Sequence, residues 1–434
     1  MHTLELLFFI FLFIVFYTYL GYGILLWILV KIKESCRRQK VAGHTLRVTE
    51  TPLCSDGWIA PGNAPKEVAA NDSGDKDSSF ALTDISSSLP PVTLFITAYN
   101  EETVVDKKMK NCHELNYPKD KLKIVWVTDG SNDRTNRKLE QYPDVTVHFA
   151  PERKGKTAAM NRGMKFVTTP IVIFTDANTF INPEAIREIV KCFNHPRVGC
   201  VAGEKRVDMD SGGGAAAGGE GLYWKYESCL KKLDYRLYSA IGAAGELFAI
   251  RTSLYEEMPA DTLLDDFILS LRITMKKYII AYCDTAYALE GGSANMKEEE
   301  KRKVRIAAGG LQSICRLGGL LNPVRYGLLS FQYISHRVLR WSVTPVALFL
   351  LFPLNIILAA GSENQLFYTT ILLLQVLFYA GGFYGYYLST KAIKNKLLYI
   401  PYYFLFMNIN VIKGFFYLRK KKQDDGTWEK ARRA

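Results

Sequence analysis

The chain has 434 residues, 48% of them hydrophobic, and a formal net charge of +12; this is enough for one sizeable soluble domain plus membrane segments and excludes a single small binding module. Much of the basic excess lies beside apolar segments, at Lys31 to Lys40 and Arg419 to Lys422, so membrane topology explains it better than nucleic acid, and no nucleic-acid partner is expected. Cys36, Cys54, Cys112, Cys192, Cys200, Cys229, Cys283 and Cys315 show no paired CxxC spacing and read as packing residues kept reduced in a cytosol.

In chain order, Leu6 to Val30 is apolar and aromatic without a charge, longer than the roughly 20 residues that span a bilayer core, and predicts a transmembrane helix within residues 1–30. A cleaved signal peptide fits poorly, because the charged leading region is missing and the apolar run is too long. Lys31, Lys33, Arg37, Arg38 and Lys40 follow directly, which places the next segment in the cytoplasm. Residues 31–91 read as a basic juxtamembrane segment and linker, since Val41 to Ser88 scatters Gly, Asp, Ser and Pro with no sustained apolar period.

At Val92 the pattern changes. VTLFITAY, then KIVWVTDG at Lys123 and PIVIFTDA at Pro170 read as buried strands. Helices are expected between them at Glu102 to Leu115, Arg134 to Gln141 and Lys156 to Phe166, and the alternation predicts an α/β domain with a mostly parallel sheet over residues 92–325. Asn100, Asp129 and Asp176 fall at strand ends, where open sheets bind ligands. The first strand runs into AYNEE without G-x-G-x-x-G, which argues against a dinucleotide-binding oxidoreductase. Ser211 to Gly219 reads as a flexible Gly/Ala-rich loop.

Tyr326 to Trp341 mixes Arg337 and Arg340 with aromatics, as suits a helix lying on the inner membrane surface. Residues 342–418 read as a membrane module: a helical hairpin of Ser342 to Ala360 and Leu366 to Leu388, then Leu397 to Leu418, which is expected to be interfacial or re-entrant because a crossing would put RKKK outside. Residues 419–434 form a basic cytosolic tail, in which Trp428, Lys430 and Arg432 either fold back over the donor site or are solvated.

Together TAYNEE, VTDGSNDRT, RKGKTAAMNRG, FTDANT, LLDDF and RKVRIAAGG, in this order over about Val92 to Gln312, resemble the motif series of family 2 glycosyltransferases. The resemblance extends to the membrane subgroup that makes bacterial exopolysaccharides such as poly-N-acetylglucosamine. It implies a GT-A-type (nucleotide-diphospho-sugar transferase) fold, with transmembrane and interfacial helices around it. It also implies inverting hexosyl transfer from a nucleotide-sugar donor, UDP before other carriers, to a saccharide or lipid-linked acceptor in polysaccharide synthesis. Two alternatives stand beside this: glycosylation of a polyprenyl phosphate or diacylglycerol, and a catalytically silent glycan-binding or scaffold subunit. The expected location is the inner (plasma) membrane, multi-pass, with a cytoplasmic catalytic domain, the bilayer and an export protein as partners.

By the same resemblance Tyr99, Glu101 and Asp129 line the nucleoside pocket, although Asp129 can equally begin an Asx-turn after its strand. Lys156 opens a helix behind Gly155 and combines a point charge with exposed N–H groups near an anion. Asp176 and Asn178 stand in the place of a DxD pair that holds Mg²⁺ or Mn²⁺; the amide can ligate but brings no charge. Gly245, Glu246 and Asp265 fall on the acceptor side, Asp265 doubling as a helix cap, and Asp266 is at the position of the general base. Arg305 keeps the arginine that clamps the leaving diphosphate, whereas Ile306 replaces an indole that relatives present to the acceptor sugar.

Overall fold

The computed structural model describes residues 1–42, 89–208, 214–293, 295–391, 393 and 396–420; most of the expected linker and the whole tail expectation at Trp428, Lys430 and Arg432 lie outside them. The chain begins with α1 (His2–Phe16) and, after a π-helical turn at Tyr17–Gly21, α2 (Tyr22–Ala42). The soluble domain then runs β1 (Val92–Ala98), α3 (Val105–His113), β2 (Leu122–Asp129), α4 (Thr135–Leu139), β3 (Val145–Ala150), α5 (Lys156–Met164), β4 (Ile171–Asp176) and β5 (Thr179–Ile181). It continues as α6 (Ala185–Cys192), β6 (Val198–Asp208), α7 (Gly214–Leu237), β7 (Leu247–Arg251), α8 (Asp265–Met275), β8 (Ile279–Gly291) and α9 (Met296–Arg316). Short helices α10 (Pro323–Tyr326), α11 (Leu328–Tyr333) and α12 (Leu339–Trp341) lead to the long α13 (Val343–Gly361), α14 (Gln365–Thr390) and α15 (Lys396–Lys420).

The strands form one sheet in the order β3-β2-β1-β4-β7-β6-β8-β5. β1 lies parallel between β2 and β4, and β2 pairs parallel with β3. This half is covered on both faces, which is why its strands are nearly continuous apolar runs. One core packs Leu94, Ile96 and Trp126 with Val105 and Met109 of α3 and Ile186 and Ile189 of α6. The other packs Phe95, Phe174 and Phe248 with Met160 of α5 and Ile268 and Leu271 of α8. Beyond β4 the sheet is mixed: β7 enters antiparallel to β4 and β6, β6 and β8 are parallel, and β5 is antiparallel to β8.

One local expectation is corrected. Residues 214–219 are not a loop but the first turns of α7; three consecutive alanines, the best helix formers, extend the helix that Leu222 to Leu237 sustains, and they outweigh the glycines among them.

Among the described residues three helices are long and apolar enough to cross a membrane, His2–Arg37, Val343–Gly361 and Gln365–Thr390. α1 packs on α13, with Thr18 and Thr344 joined through their hydroxyls at 2.8 Å. α15 lies between α14 and α9: a Cβ on Gly385 would meet the Leu398 carbonyl oxygen at 2.3 Å, and one on Gly414 would meet Ala307 Cβ at 2.7 Å. The arginines of the 326–341 segment do not point into solvent. Arg337 and Arg340 are buried, because Glu227 on α7 faces both.

Candidate active site

The loops after β1, β2 and β4 meet because these three strands are neighbours. Asn100 adopts φ 52°, which its short polar side chain tolerates. Its amide exchanges hydrogen bonds with Asn132: Nδ2 donates to Asn132 Oδ1 at 2.8 Å, and Asn132 N–H donates back to Oδ1 at 3.0 Å. Gly130, at φ 67°, brings its backbone so close to Arg153 that a Cβ would lie 2.6 Å from the Arg153 nitrogen. Asp129 makes no Asx-turn hydrogen bond among the described residues; its carboxylate instead ties to the loop before α5. Its Oδ2 accepts from Lys154 N–H (3.0 Å) and Gly155 N–H (2.7 Å), a structural clamp. Its Oδ1 is buried without a hydrogen-bond partner among the described residues, its nearest cation being Arg162 at 3.7 Å. Tyr99 lies under the Arg153 guanidinium, 3.8 Å from ring centroid to carbon, and Glu101 is buried beside it.

Lys156 is the first residue of α5, presented by Gly155 at φ 90°. Its Nζ donates to Asp176 Oδ1 at 2.7 Å and lies 3.7 Å from Asp265 Oδ2. Burial opposes the ammonium, but Asp176 and then Asp265 more than offset it and hold Lys156 well above the ordinary lysine range. Gly245 closes the same point: a Cβ there would lie 3.3 Å from Lys156 Nζ and 3.5 Å from Asp266 Oδ2. Asp265 and Asp266 open α8, where a helix terminus favours anions. Burial first, and the neighbouring Asp265 second, nevertheless push Asp266 up to about 7. This is the range in which a carboxylate takes a proton at neutral pH.

Asp176 and Asn178 face the same cavity. Beneath their turn lies Lys108, fully buried, its Nζ on the Thr179 carbonyl (2.6 Å) and Thr175 Oγ1 (3.2 Å); burial pushes it down to about 8. Hard divalent cations take six or more oxygens. The turn offers a carboxylate and an amide oxygen, and no cluster of three His, Cys, Asp or Glu suited to a metal occurs among the described residues. These two oxygens could hold such an ion only together with ligands from outside the chain.

On the acceptor side Glu246 is already engaged. Its Oε1 accepts from Lys205 (2.5 Å) and Arg302 (3.3 Å), and Lys205 also bonds Glu290. Burial works against the Glu246 carboxylate, but Lys205 and Arg302 hold it well below the usual range. Arg305 and Ile306 line the cavity from α9. Ile306 brings no indole, but Trp341 of α12 borders the cavity, its ring 5.1 Å edge-on to Phe267 and packed where Gly310 leaves room. Trp224, in the YWKYE segment that resembles the family's acceptor side, and Arg302 and Lys303, in RKVRIAAGG, also line this space; so do Lys231, Arg337 and Arg340, which were not expected at the site. The expected donor, metal, acceptor and base residues all line one cavity of about 820 Å³, whereas Asn100, also expected at a strand end, does not line it.

A family model described as "Glycosyl transferase family 2" matches residues 93–258, which hold β1 to β7 and the loops of Asp129, Lys156, Asp176 and Gly245. This region is a family 2 glycosyltransferase domain. The chain is 25% identical over 239 residues to the poly-beta-1,6-N-acetyl-D-glucosamine synthase of Staphylococcus aureus, covering 52% of this chain and 56% of that one. It is 27% identical over 237 residues to a probable glycosyltransferase of Bacillus subtilis, with 51% and 55% covered. It thus spans about half the length of the curated relatives it matches. A mannosyltransferase from Pyrobaculum calidifontis, solved with GDP-Man and Mn²⁺, superposes with a TM-score of 0.59 at 21% identity over 77% of this chain and 88% of that one. This likeness identifies the fold of the family 2 domain as GT-A-type, with its mixed sheet extended by apolar helices.

Proposed function

We propose that the chain is a membrane-anchored inverting glycosyltransferase. It moves a hexose from a nucleoside-diphosphate donor, UDP before others, to a saccharide or lipid-linked hydroxyl at the cytoplasmic face of the plasma membrane, in the building of a cell-surface or extracellular polysaccharide. The observation that carries this is the convergence of Lys156, Asp176, Asp265 and Asp266 on one cavity that also holds Tyr99, Glu101 and Asp129. The free Asp129 oxygen and the Tyr99–Arg153 stack receive the nucleoside, and the Gly155–Lys156 helix start receives the diphosphate. Asp176 and Asn178 hold Mg²⁺ or Mn²⁺, which supplies neutralisation of the diphosphate charge when bound. Asp266 accepts the acceptor proton as the new glycosidic bond forms on the face opposite the leaving group, and Arg305 pairs with the departing diphosphate.

The test is a donor screen on the full-length detergent-purified protein, reading free nucleotide. One nucleotide sugar is expected to release UDP, and excess EDTA to abolish the release. Asn178→Asp should lower the Mn²⁺ concentration needed for half-maximal rate. No nucleotide released from any donor overturns the reading, and full activity in EDTA overturns the metal assignment.

A further inference from the structure

The same cavity is lined by Arg337, Arg340 and Lys231, cations to which the reaction proposed above assigns no part. Glu227, on α7, is 1% exposed in its side chain and accepts from Arg337 Nη2, from Arg340 Nη1 at 3.0 Å and, more loosely, from His336 Nε2 at 3.4 Å. Arg340 is 6% exposed, and its Nε and Nη2 have no hydrogen-bond partner among the described residues. One turn along α7 from Glu227, Lys231 is 3% exposed and forms no hydrogen bond or ion pair among the described residues; its ammonium lies 5.9 Å from the Trp224 ring centroid. Asp234, the other acid of this layer, is taken up by Tyr22, Gln332 and His336. Arg337, Arg340 and His336 thus share the Glu227 carboxylate, with Lys231 one turn away and in no ion pair among the described residues, and buried charge is stable only when paired. The unpaired N–H groups border a cavity, so the missing partner is an anion that enters it.

Two further facts say what kind of anion. Lys231, Asp266 and Glu246 line the same cavity, so the cationic wall adjoins the proposed base; burial pushes the Lys231 ammonium below the ordinary lysine range, and Glu227, Asp266 and Glu246 work against that. The same cavity is lined by Phe16 and Leu20 of the amino-terminal helix, which is long and apolar enough to cross a membrane, and by Phe404, Met407 and Val411 of α15.

We propose that this wall is a phosphate subsite for the acceptor, and that the acceptor is a saccharide carried on a lipid phosphate or diphosphate. Phosphate oxygens sit on Arg340 and Lys231, the hydrocarbon chain leaves between α1 and α15, and the sugar hydroxyl reaches Asp266. The hydroxyl proton passes to Asp266 and the oxygen bonds the anomeric carbon. The bond from that carbon to the donor phosphate breaks, with its electron pair leaving on the nucleoside diphosphate. The inference rests on the glycosyltransferase reading above.

The experiment uses the full-length protein in zwitterionic nanodiscs and measures acceptor and donor KM separately. Its probes are a monosaccharide diphosphate on a polyprenyl chain, the same sugar on the same chain through a neutral ether, and a soluble oligosaccharide with inorganic phosphate. Wild type is expected to show an acceptor KM at least tenfold lower for the diphosphate lipid than for the neutral lipid. Arg340→Gln is expected to erase that preference with donor KM unchanged, and Arg340→Lys to restore part of it. If Arg340→Gln does not accumulate, Lys231→Met is read the same way. Equal KM for the two lipids overturns the proposal, as does the soluble oligosaccharide with phosphate matching the diphosphate lipid, or a preference that survives both substitutions. Nucleotide release with acceptors other than the diphosphate lipid would leave the glycosyltransferase reading intact while this one fails; no turnover of any donor would end both.

Discussion

At Asp266 catalysis and stability pull in opposite directions. Burial and Asp265 hold its carboxyl near pH 7, so the folded chain binds that proton more tightly than the unfolded one. The sign follows: its contribution to stability is full below the unfolded carboxyl range, near pH 4, and is lost as pH rises through about 7. Asp266→Asn should therefore lower turnover by about 10²-fold or more, leave donor affinity unchanged, and raise Tm at pH 8 with no rise near pH 4, by about 2–4 °C for each kcal/mol recovered. Calorimetry at both pH values checks it; a Tm lowered at pH 8 contradicts the assigned state. In the wild-type enzyme kcat should fall about tenfold per pH unit below about 7, because only the carboxylate can take the proton, and no alkaline limb should come from Lys156 below pH 10, since Asp176 and Asp265 keep it charged. At this scale Asp129, Asp176 and Asp266 were legible because each polar residue ends or begins an apolar element. Lys231, Arg337 and Arg340 were not, because what turns them inward is Glu227, more than a hundred residues from the arginines.

Among the elements, the amino-terminal half of the sheet could be read from VTLFITAY, KIVWVTDG and PIVIFTDA because doubly covered parallel strands are continuous apolar runs. β5 is three residues long and the end of β8 is half-exposed, so neither carries such a run; β7 does, in LFAIR, but its antiparallel place is set by distant partners. α15 was legible as a segment and not as a wall of the site. Its position depends on Gly414, whose Cβ would meet Ala308 N at 2.8 Å and the Val304 carbonyl at 3.0 Å, backbone atoms that cannot retreat. Gly414→Val should push α15 off α9, an overpacking cost of about 1–3 kcal/mol, and displace Arg305 and Tyr403 together. Nucleotide release should drop at least tenfold while the protein remains in carbonate-washed membranes; unchanged release would mean that α15 does not shape the site.

For the whole molecule, the proposed layout puts the turn between α13 and α14 outside and Lys391 inside, as the basic residues around α2 and after α14 require. In a variant with Cys54 and the exposed Cys36, Cys229 and Cys315 replaced, an impermeant maleimide applied to intact cells should label Glu363→Cys and spare Lys391→Cys; the reverse pattern inverts the layout. The membrane hairpin was readable from length and hydropathy, which need no partner. The single cavity joining donor pocket to apolar helices was not, because it is enclosed by elements from both ends of the chain.

The π-helical turn at Tyr17–Gly21 makes α1 and α2 one continuous rod. Its outer part is held to α13 through Thr18 and Thr344. Its inner part is held to α7 by Tyr22 on Asp234 and by Lys33 on the carbonyls of Arg236 and Leu237. α7 in turn carries Glu227 and Lys231, so the rod joins α13 to a helix that lines the cavity. Helices answer a thicker or thinner bilayer by changing tilt. Acceptor KM should accordingly shift with acyl-chain length across a nanodisc series while donor affinity stays flat, which would make membrane thickness itself a control on where in the cell envelope this enzyme works best.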